Sequence, residues 1–556
     1  MTQQLKRDYF KRETAEVAQF TAALRENAVN NDGTFDSAAA DDFILTATNQ
    51  ATGVKVPKDL QHVLDEAGEK EGTRIVRAVL DGVDAYETQH GVSAPADVVE
   101  QALHLAYATT DDARRRYALD SATSLHHDQM ALQPNRAVVS ILATLGEAIP
   151  FAHYLPSDIG SNEAILAILS HQAGSTYGAY AQGGLLDGAY SGDSYVSSSR
   201  THTASADEDD GSVAGKLTTI QDSSGTCAQN AASVKLLRGR TLVYVGGKIV
   251  AREMDSTGSG ASAISGKVVI GNNEYAIGGS INTDTGAFTL TTSPKLPAAV
   301  PVVVEGFIDY ERAPELTPSI ITAVDTFKLH AKPWRVLTQQ SIDSRTQMNN
   351  ELGLDPYSES VISIQAQAAN ERHYEVLNKA MRVAAGNQSE FDYGKAATSN
   401  NNGLFNTWCE FAYPVALASQ RMAIATLGYG ITHLYVGARV AAILQGLPST
   451  VFQPSGLPPR AGIYRLGRLF GQYEVYFTPK GLTETENSAQ VLAIGRSPDV
   501  ARSPFVLGDA VPATILPLAV GSDLRQGAGF YGRGFTSVNP HAPSASGAAL
   551  INIVNM

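Results

Sequence analysis

Cysteine is nearly missing from this chain: Cys227 and Cys409 are the only two among 556 residues. So few exclude a disulfide framework and suit a reducing compartment during folding. They lie far apart, without His or Cys companions at metal-ligand spacing. Long apolar runs are missing too, since none approaches the roughly 18 residues of a membrane span. The opening residues, MTQQLKRDYFKRE, lack the apolar segment of a secretory signal. Positive charge is in deficit. A net charge of −14 argues against a reader of nucleic acid, whose phosphates demand a basic surface. It suits a soluble protein present at high concentration.

What is there is length and apolar content. A chain of 556 residues, 43% hydrophobic, exceeds one ordinary domain and supports real cores, so three or four units are expected. The pattern is α+β. Its most regular stretch runs from Asp355, a good N-cap, through Pro356 at the first helical position to Gly386, a natural stop. Ile362, Ala366, Ala369, His373, Val376, Ala380 and Val383 recur at three- and four-residue steps, apolar except at His373. Roughly 30 residues make a rod of about 45 Å. The opposite side carries Glu359, Glu371, Arg372, Glu375, Lys379 and Arg382, expected wet or paired.

Residues 1–115 read as helical. Leu5, Tyr9, Val17, Phe20 and Leu24 share one face; Val76, Val79, Leu80, Val83 and Tyr86 mark a second helix stopped near Gly91; Pro95 to Tyr107 gives a third. The charge run Asp111–Arg116 reads as a solvated or paired surface rather than a contact for DNA. Asn135 to Leu145 is a short apolar helix. Beyond Gly174 comes GSTYGAYAQGGLLDGAYSGDSYVSSSR, so rich in Gly, Ser and Tyr that it is expected to be an extended loop ordered from outside its own domain.

Residues 233–311 are β-rich, with turn signals every 8–12 residues that suggest a small sandwich. Asn272-Asn273 and Thr285-Gly286 sit where hairpin turns belong. Phe327 and Leu329 alternate with Lys328 and His330 in a half-buried strand that leads to the long helix. After it, Pro414 to Leu427 and Ala438 to Gln445 read as helices. In the strand around Tyr473, that residue, Val475 and Phe477 point one way, and Glu474, Tyr476 and Thr478 the other.

Chemistry-bearing clusters are few. Gly192-Asp193-Ser194 lacks the strand–elbow–helix setting of a hydrolase nucleophile, and Ser259 has the wrong flanks. Asp207, Glu208, Asp209 and Asp210 lack the alternating spacing of a calcium loop. His126-His127-Asp128 places neighbours on different sides of a helix, which does not suit a shared metal. No catalytic, cofactor-binding or metal-binding residue is singled out, and no cofactor is expected.

Three phrases in chain order resemble the T4-like major capsid proteins of tailed bacteriophages. The first is Phe327, Ala331, Arg335 and Leu337, just before the long helix. The second is Leu466, Gly467, Leu469, Gly471, Val475 and Tyr476, with Thr478-Pro479 where the family has Asp-Pro. The third is Gly508, Pro512, Pro517, Leu518, Ala519, Val520 and Gln526, then Gly529, Phe530, Gly532, Arg533, Asn539 and Pro540; its Tyr-Gly-Arg-Gly order departs from the family's Arg-Tyr-Gly. The resemblance covers 130–230 loosely and 312–556 well.

It implies an HK97-like shell fold. Residues 116–232 would be an N-arm and extended loop, 312–410 a peripheral domain with spine helix 356–385, 411–535 an axial domain, and 536–556 a return to the periphery. The helical region 1–115 and an inserted β-sandwich domain at 233–311 match the family by position only. The implied protein is no enzyme. It is a virion subunit that assembles with itself into hexamers and pentamers of an icosahedral head, in the host cytoplasm, with portal, scaffolding and decoration proteins as partners. Double-stranded DNA would be enclosed without sequence-specific binding. The 174–200 loop would clasp a neighbour and contribute little to its own subunit's stability. Capsid proteins of this type are often trimmed after a glutamate, Glu66 or Glu100 being candidates; retention of the N-terminus is expected. Other readings are a tail sheath, an encapsulin-like shell, or a hydrolase with a sugar-binding β-domain.

Overall fold

The computed structural model describes residues 3–29, 35–48, 54–110, 113, 133–207, 211–254, 260–352, 356–401, 403–517 and 525–556. The chain forms two compact units, Met1–Ile168 with Thr326–Met556, and Leu169–Asp325. It leaves the first along strand Glu163–Ala173 and returns along Ile320–His330, and these two strands pair with each other. The expected boundary at 312 therefore falls at Thr326. The peripheral, axial and return segments beyond it all lie in the first unit.

That first unit is built on two sheets. The larger has seven strands in the order Gln388–Asp392, Ala548–Val554, Ser488–Gly495, Ile431–Val436, Tyr473–Phe477, Tyr464–Leu469 and Phe452–Pro454. Helix Ala412–Thr426 packs on it, as does the long helix, Pro356–Ala384. Strand Tyr473–Phe477, inside this sheet, is buried at four successive residues, Tyr473 to Tyr476. The second sheet runs His153–Tyr154, Phe505–Pro517, Arg525–Val538, Lys332–Ser341. Lys332–Ser341 is its edge, paired on one side only.

The described N-terminal residues include the helices Gln3–Ala28, Ser37–Thr48, Lys58–Ala67, Glu69–His90 and Ala96–Ala108. Three were legible; Ser37–Thr48 and Lys58–Ala67 lie in stretches whose apolar spacing is too short to stand out. Gly91, at φ 66°, closes the fourth in the left-handed conformation that glycine adopts without strain. Val17, Phe20, Leu24, Val76, Val83 and Val98 share one core with Val376, Ala380, Tyr435, Tyr476 and Leu492. The separate N-terminal region expected at 1–115 is thus a layer of the first unit, because its apolar stripes have no other core to fill.

Among the described side chains of the long helix, the buried ones lie in the C-terminal half, at Val376, Leu377, Ala380 and Ala384. Ala366, placed on that stripe by its spacing, is exposed.

The second unit corrects the sandwich expected at 233–311. It is one antiparallel sheet of eight strands, ordered Ser199–Ala204, Val302–Phe307, Leu242–Val245, Lys248–Glu253, Ala261–Ile270, Asn273–Asn282, Ala287–Ser293, Val213–Lys216. Two of these strands precede residue 233, and the two edge strands lie against each other, so the sheet curls around its own core. A Cβ added at Gly215 on one edge would lie 2.6 Å from His202 on the other, which is why that position is glycine. Ile270 pairs with Asn273, so the tight turn is Gly271-Asn272, with Gly271 at φ 62°, one residue earlier than the expected Asn272-Asn273.

Candidate assembly surfaces

The front half of the long helix borders a groove of about 1230 Å³ within the first unit. Leu105, Ala108, Val139, Val336, Ile364 and Ala368 give it apolar walls, and Lys332, Arg335, Glu147, Glu371 and Asp509 supply charge. The edge strand beside it exposes Val336 and Leu337. A long open edge with uncovered apolar side chains is a template for another chain. A second such surface is the outer side of helix Ala412–Thr426. Pro414, Val415, Ala418 and Met422 are buried, while Tyr413 and Ile424 are 73% and 61% exposed. On the preceding helix, Leu404–Glu410, Leu404 and Phe405 are exposed too.

Beneath the groove lies an ion pair that the sequence pattern misplaced. Arg372, expected on the wet side of the long helix, donates to Asp509 at 2.7 Å and lies over the Tyr154 ring, 5.8 Å from its centre. Glu147, exposed at the groove, lies beside them.

Two further buried charge groups lie in the first unit, one joining helix Ala96–Ala108 to Arg496 and one joining two strands of the larger sheet. Asp97, 3% exposed, faces His153 Nδ1 at 3.0 Å, accepts the Tyr154 amide at 2.9 Å, and accepts from Arg496 at 3.1 Å. Burial pushes its carboxyl up, but His153, Arg496 and the Tyr154 amide outweigh burial and hold it at about 2. Glu474, read from the sequence as the other face of a strand, accepts from Arg465 at 2.7 Å and Arg468 at 2.6 Å. Nothing in the spacing of Asp97 or Arg496 marks them, because the two lie 399 residues apart.

In the second unit the Gly/Ser/Tyr-rich segment is not the unsupported loop expected. Tyr177 and Tyr195 are buried in that unit's own core. Tyr195 donates to the Ser319 carbonyl at 2.6 Å, and the Tyr177 and Tyr310 hydroxyls are 3.1 Å apart. Fully buried Arg200 lies 4.4 Å from the centre of the Tyr177 ring and donates to Ser194 Oγ and the carbonyls of Ser197 and Ser199. The tyrosines supply the apolar area that the Gly and Ser residues lack. Tyr190 and Val196 remain exposed.

The described members of the chemistry-bearing clusters are engaged in local contacts. Ser194 Oγ is held by Arg200, and its carbonyl accepts from Ala179. Asp207 closes a turn with Gly211 and Ser212. His126-His127-Asp128, Ser259 and Glu208–Asp210 lie outside the described residues, as do most of Asp111–Arg116 and Leu518–Val520. Among the described residues, no three His, Cys, Asp or Glu side chains are grouped to hold a metal, and no helix is long and apolar enough to cross a membrane.

No protein-family model and no curated protein matches the chain. Solved structures do. The capsid of jumbo bacteriophage PhiKZ is similar at 10% identity and a TM-score of 0.36, over 73% of this chain and 91% of that one. The mature capsid of bacteriophage PhiM1 is similar at 10% identity and 0.28, over 54% and 83%. The SrpI encapsulin complex of Synechococcus elongatus is similar at 9% identity and 0.26, over 42% and 77%.

Proposed function

We propose that this chain is a major capsid protein of the tailed-phage type, with an HK97-like fold, whose copies form the hexamers and pentamers of an icosahedral head around double-stranded DNA. The observation that carries the reading is where the three family phrases fall. The first lies on the strands Ile320–His330 and Lys332–Ser341 that lead to the 29-residue helix Pro356–Ala384. The second lies on the antiparallel pair Tyr464–Leu469 and Tyr473–Phe477. The described part of the third lies on the long pair Phe505–Pro517 and Arg525–Val538 and the residues just after it. A rod, a hairpin and a long ribbon in that order, with apolar surfaces left open, suit a subunit completed by its neighbours.

At −14 per copy, the enclosed genome is neutralised by mobile counterions rather than by the shell. Portal, scaffolding and decoration proteins are the further partners this reading entails. The N-terminal layer stays in the mature subunit. Val98 and Val99, beside the candidate trimming point at Glu100, are buried in helix Ala96–Ala108, where a protease needs an extended strand.

Negative-stain images and mass measurement of the purified chain test the assembly directly. Closed particles with five- and six-membered rings are expected. Tubes would move the reading to a sheath, and monomers at every concentration would overturn it.

A further inference from the structure

Three histidines meet where the N-terminal helices join the seven-stranded sheet. His90, the last residue of helix Glu69–His90, lies 3.0 Å through Nδ1 from the Tyr476 hydroxyl, and its Nε2 has no hydrogen-bond partner. His433, on the central strand Ile431–Val436, has its ring centre 5.9 Å from that of Tyr476 and 6.2 Å from that of Phe151. His373 of the long helix places Nε2 3.0 Å from the Tyr435 hydroxyl, and Tyr435 stacks on Tyr476 at 5.4 Å. His90 and His433 are 3% and 7% exposed; His373 is more open to water.

The charged groups around them leave no carboxylate to receive an imidazolium. Strand Tyr473–Phe477 offers Glu474, already bonded to Arg465 and Arg468 of the neighbouring strand. Helix Ala96–Ala108 offers Asp97, already bonded to Arg496 and facing His153. On helix Glu69–His90 itself, Tyr86 is neutral and Glu87 pairs with Arg25. On the long helix, Arg372 is engaged with Asp509. The free influences are repulsive: Arg465 and His373 on His90, Arg496 and His90 on His433.

We propose that this seam is an acid-operated latch: protonation of His90 and His433 frees the N-terminal helices from the sheet while the sheet stays folded. The helices are the part that yields because His90 closes one of them and gains water as soon as that helix lifts. Lifting also uncovers the sheet face that holds His433. The strands behind remain covered by the long helix and Ala412–Thr426.

Burial, first, and then the neighbouring cations hold His90 and His433 at about 3, and burial holds His373 at about 4, against an ordinary 6.5. With folded values below the free ones, the attached state is fully favoured above pH 6.5 and loses ground as pH falls towards 3. Asp97, held at about 2, stays ionised through most of that window and so does not contribute to the change. Each imidazole shifts the detachment equilibrium about tenfold per pH unit, and the two together about a hundredfold.

Hydrogen exchange of the full chain between pH 7.5 and 4.5, corrected for intrinsic rates, decides it. Residues 69–108 should lose protection about a hundredfold per pH unit below 6, while strands Ile431–Val436 and Ser488–Gly495 keep theirs. His90→Gln with His433→Gln, which cannot titrate, should flatten the dependence. If that pair of changes disturbs the fold at pH 7.5, His433→Gln alone, whose ring bonds Thr432, should reduce the slope to about tenfold. The latch is refuted if helices and strands lose protection together, if neither changes, or if the glutamine variants follow the parent.

Discussion

Asp97→Ala should destabilise the first unit by about 3–5 kcal/mol, the loss typical when one partner of a buried ion pair is removed. Arg496 would be left facing the Pro150 carbonyl at 2.9 Å with no carboxylate beside it, and His153 and the Tyr154 amide would lose an acceptor. Adding Arg496→Met should recover part of the loss, because the unpaired charge goes with it. Both tryptophans of the chain, Trp334 and Trp408, lie in the first unit, and Trp408 is fully buried. Tryptophan emission during urea unfolding therefore reports this unit alone. The acid dependence has its own sign. With a folded value of about 2 against an ordinary 3.8, Asp97 contributes fully above pH 3.8 and loses its contribution between 3.8 and 2. An Asp97→Ala variant as stable as the parent at pH 7 would mean that the N-terminal layer is held by apolar packing alone.

How far the sequence reached follows from which forces act locally. The long helix, the stop at Gly91 and helix Ala438–Gln445 were legible because capping residues and 3.6-residue spacing are written into consecutive positions. What escaped depends on residues far apart in the chain. Asp97 gave no sign of its partner, and Arg496 lies 399 residues further on. Arg372 looked like surface charge, and Asp509 lies 137 residues further on. Ser199–Ala204 and Val213–Lys216 are short and polar, and pairing, not composition, makes them strands of the eight-stranded sheet. The open faces on Tyr413, Ile424 and Leu337 carried no signal at all, since an exposed apolar residue and a buried one look alike until the neighbours are placed.

Deleting 179–195 should unfold or strongly loosen the second unit rather than leave it intact. The Gly and Ser residues of that segment contribute little, but Tyr195 is 3% exposed, and burying such a side chain is worth about 1.5–3 kcal/mol. Its ring meets those of Tyr177 and Tyr180 edge-on at 6.2 and 5.6 Å, pairs worth about 0.5–1.5 kcal/mol each. Arg200 would lose Ser194 Oγ, and a fully buried guanidinium has few other partners to turn to. Together these losses come to about 3–6 kcal/mol, or roughly 10 °C or more in a unit of this size. Calorimetry will separate the second unit's transition from the one that tryptophan emission follows. A drop confined to the former is expected. The point change Tyr195→Ala should give a smaller shift in the same transition, and Tyr190→Ala, whose side chain is exposed, almost none. If the deletion leaves both transitions in place and abolishes only particle formation, the segment contributes between copies what its contacts assign to its own unit. The buried tyrosines would then be dispensable to the fold that surrounds them.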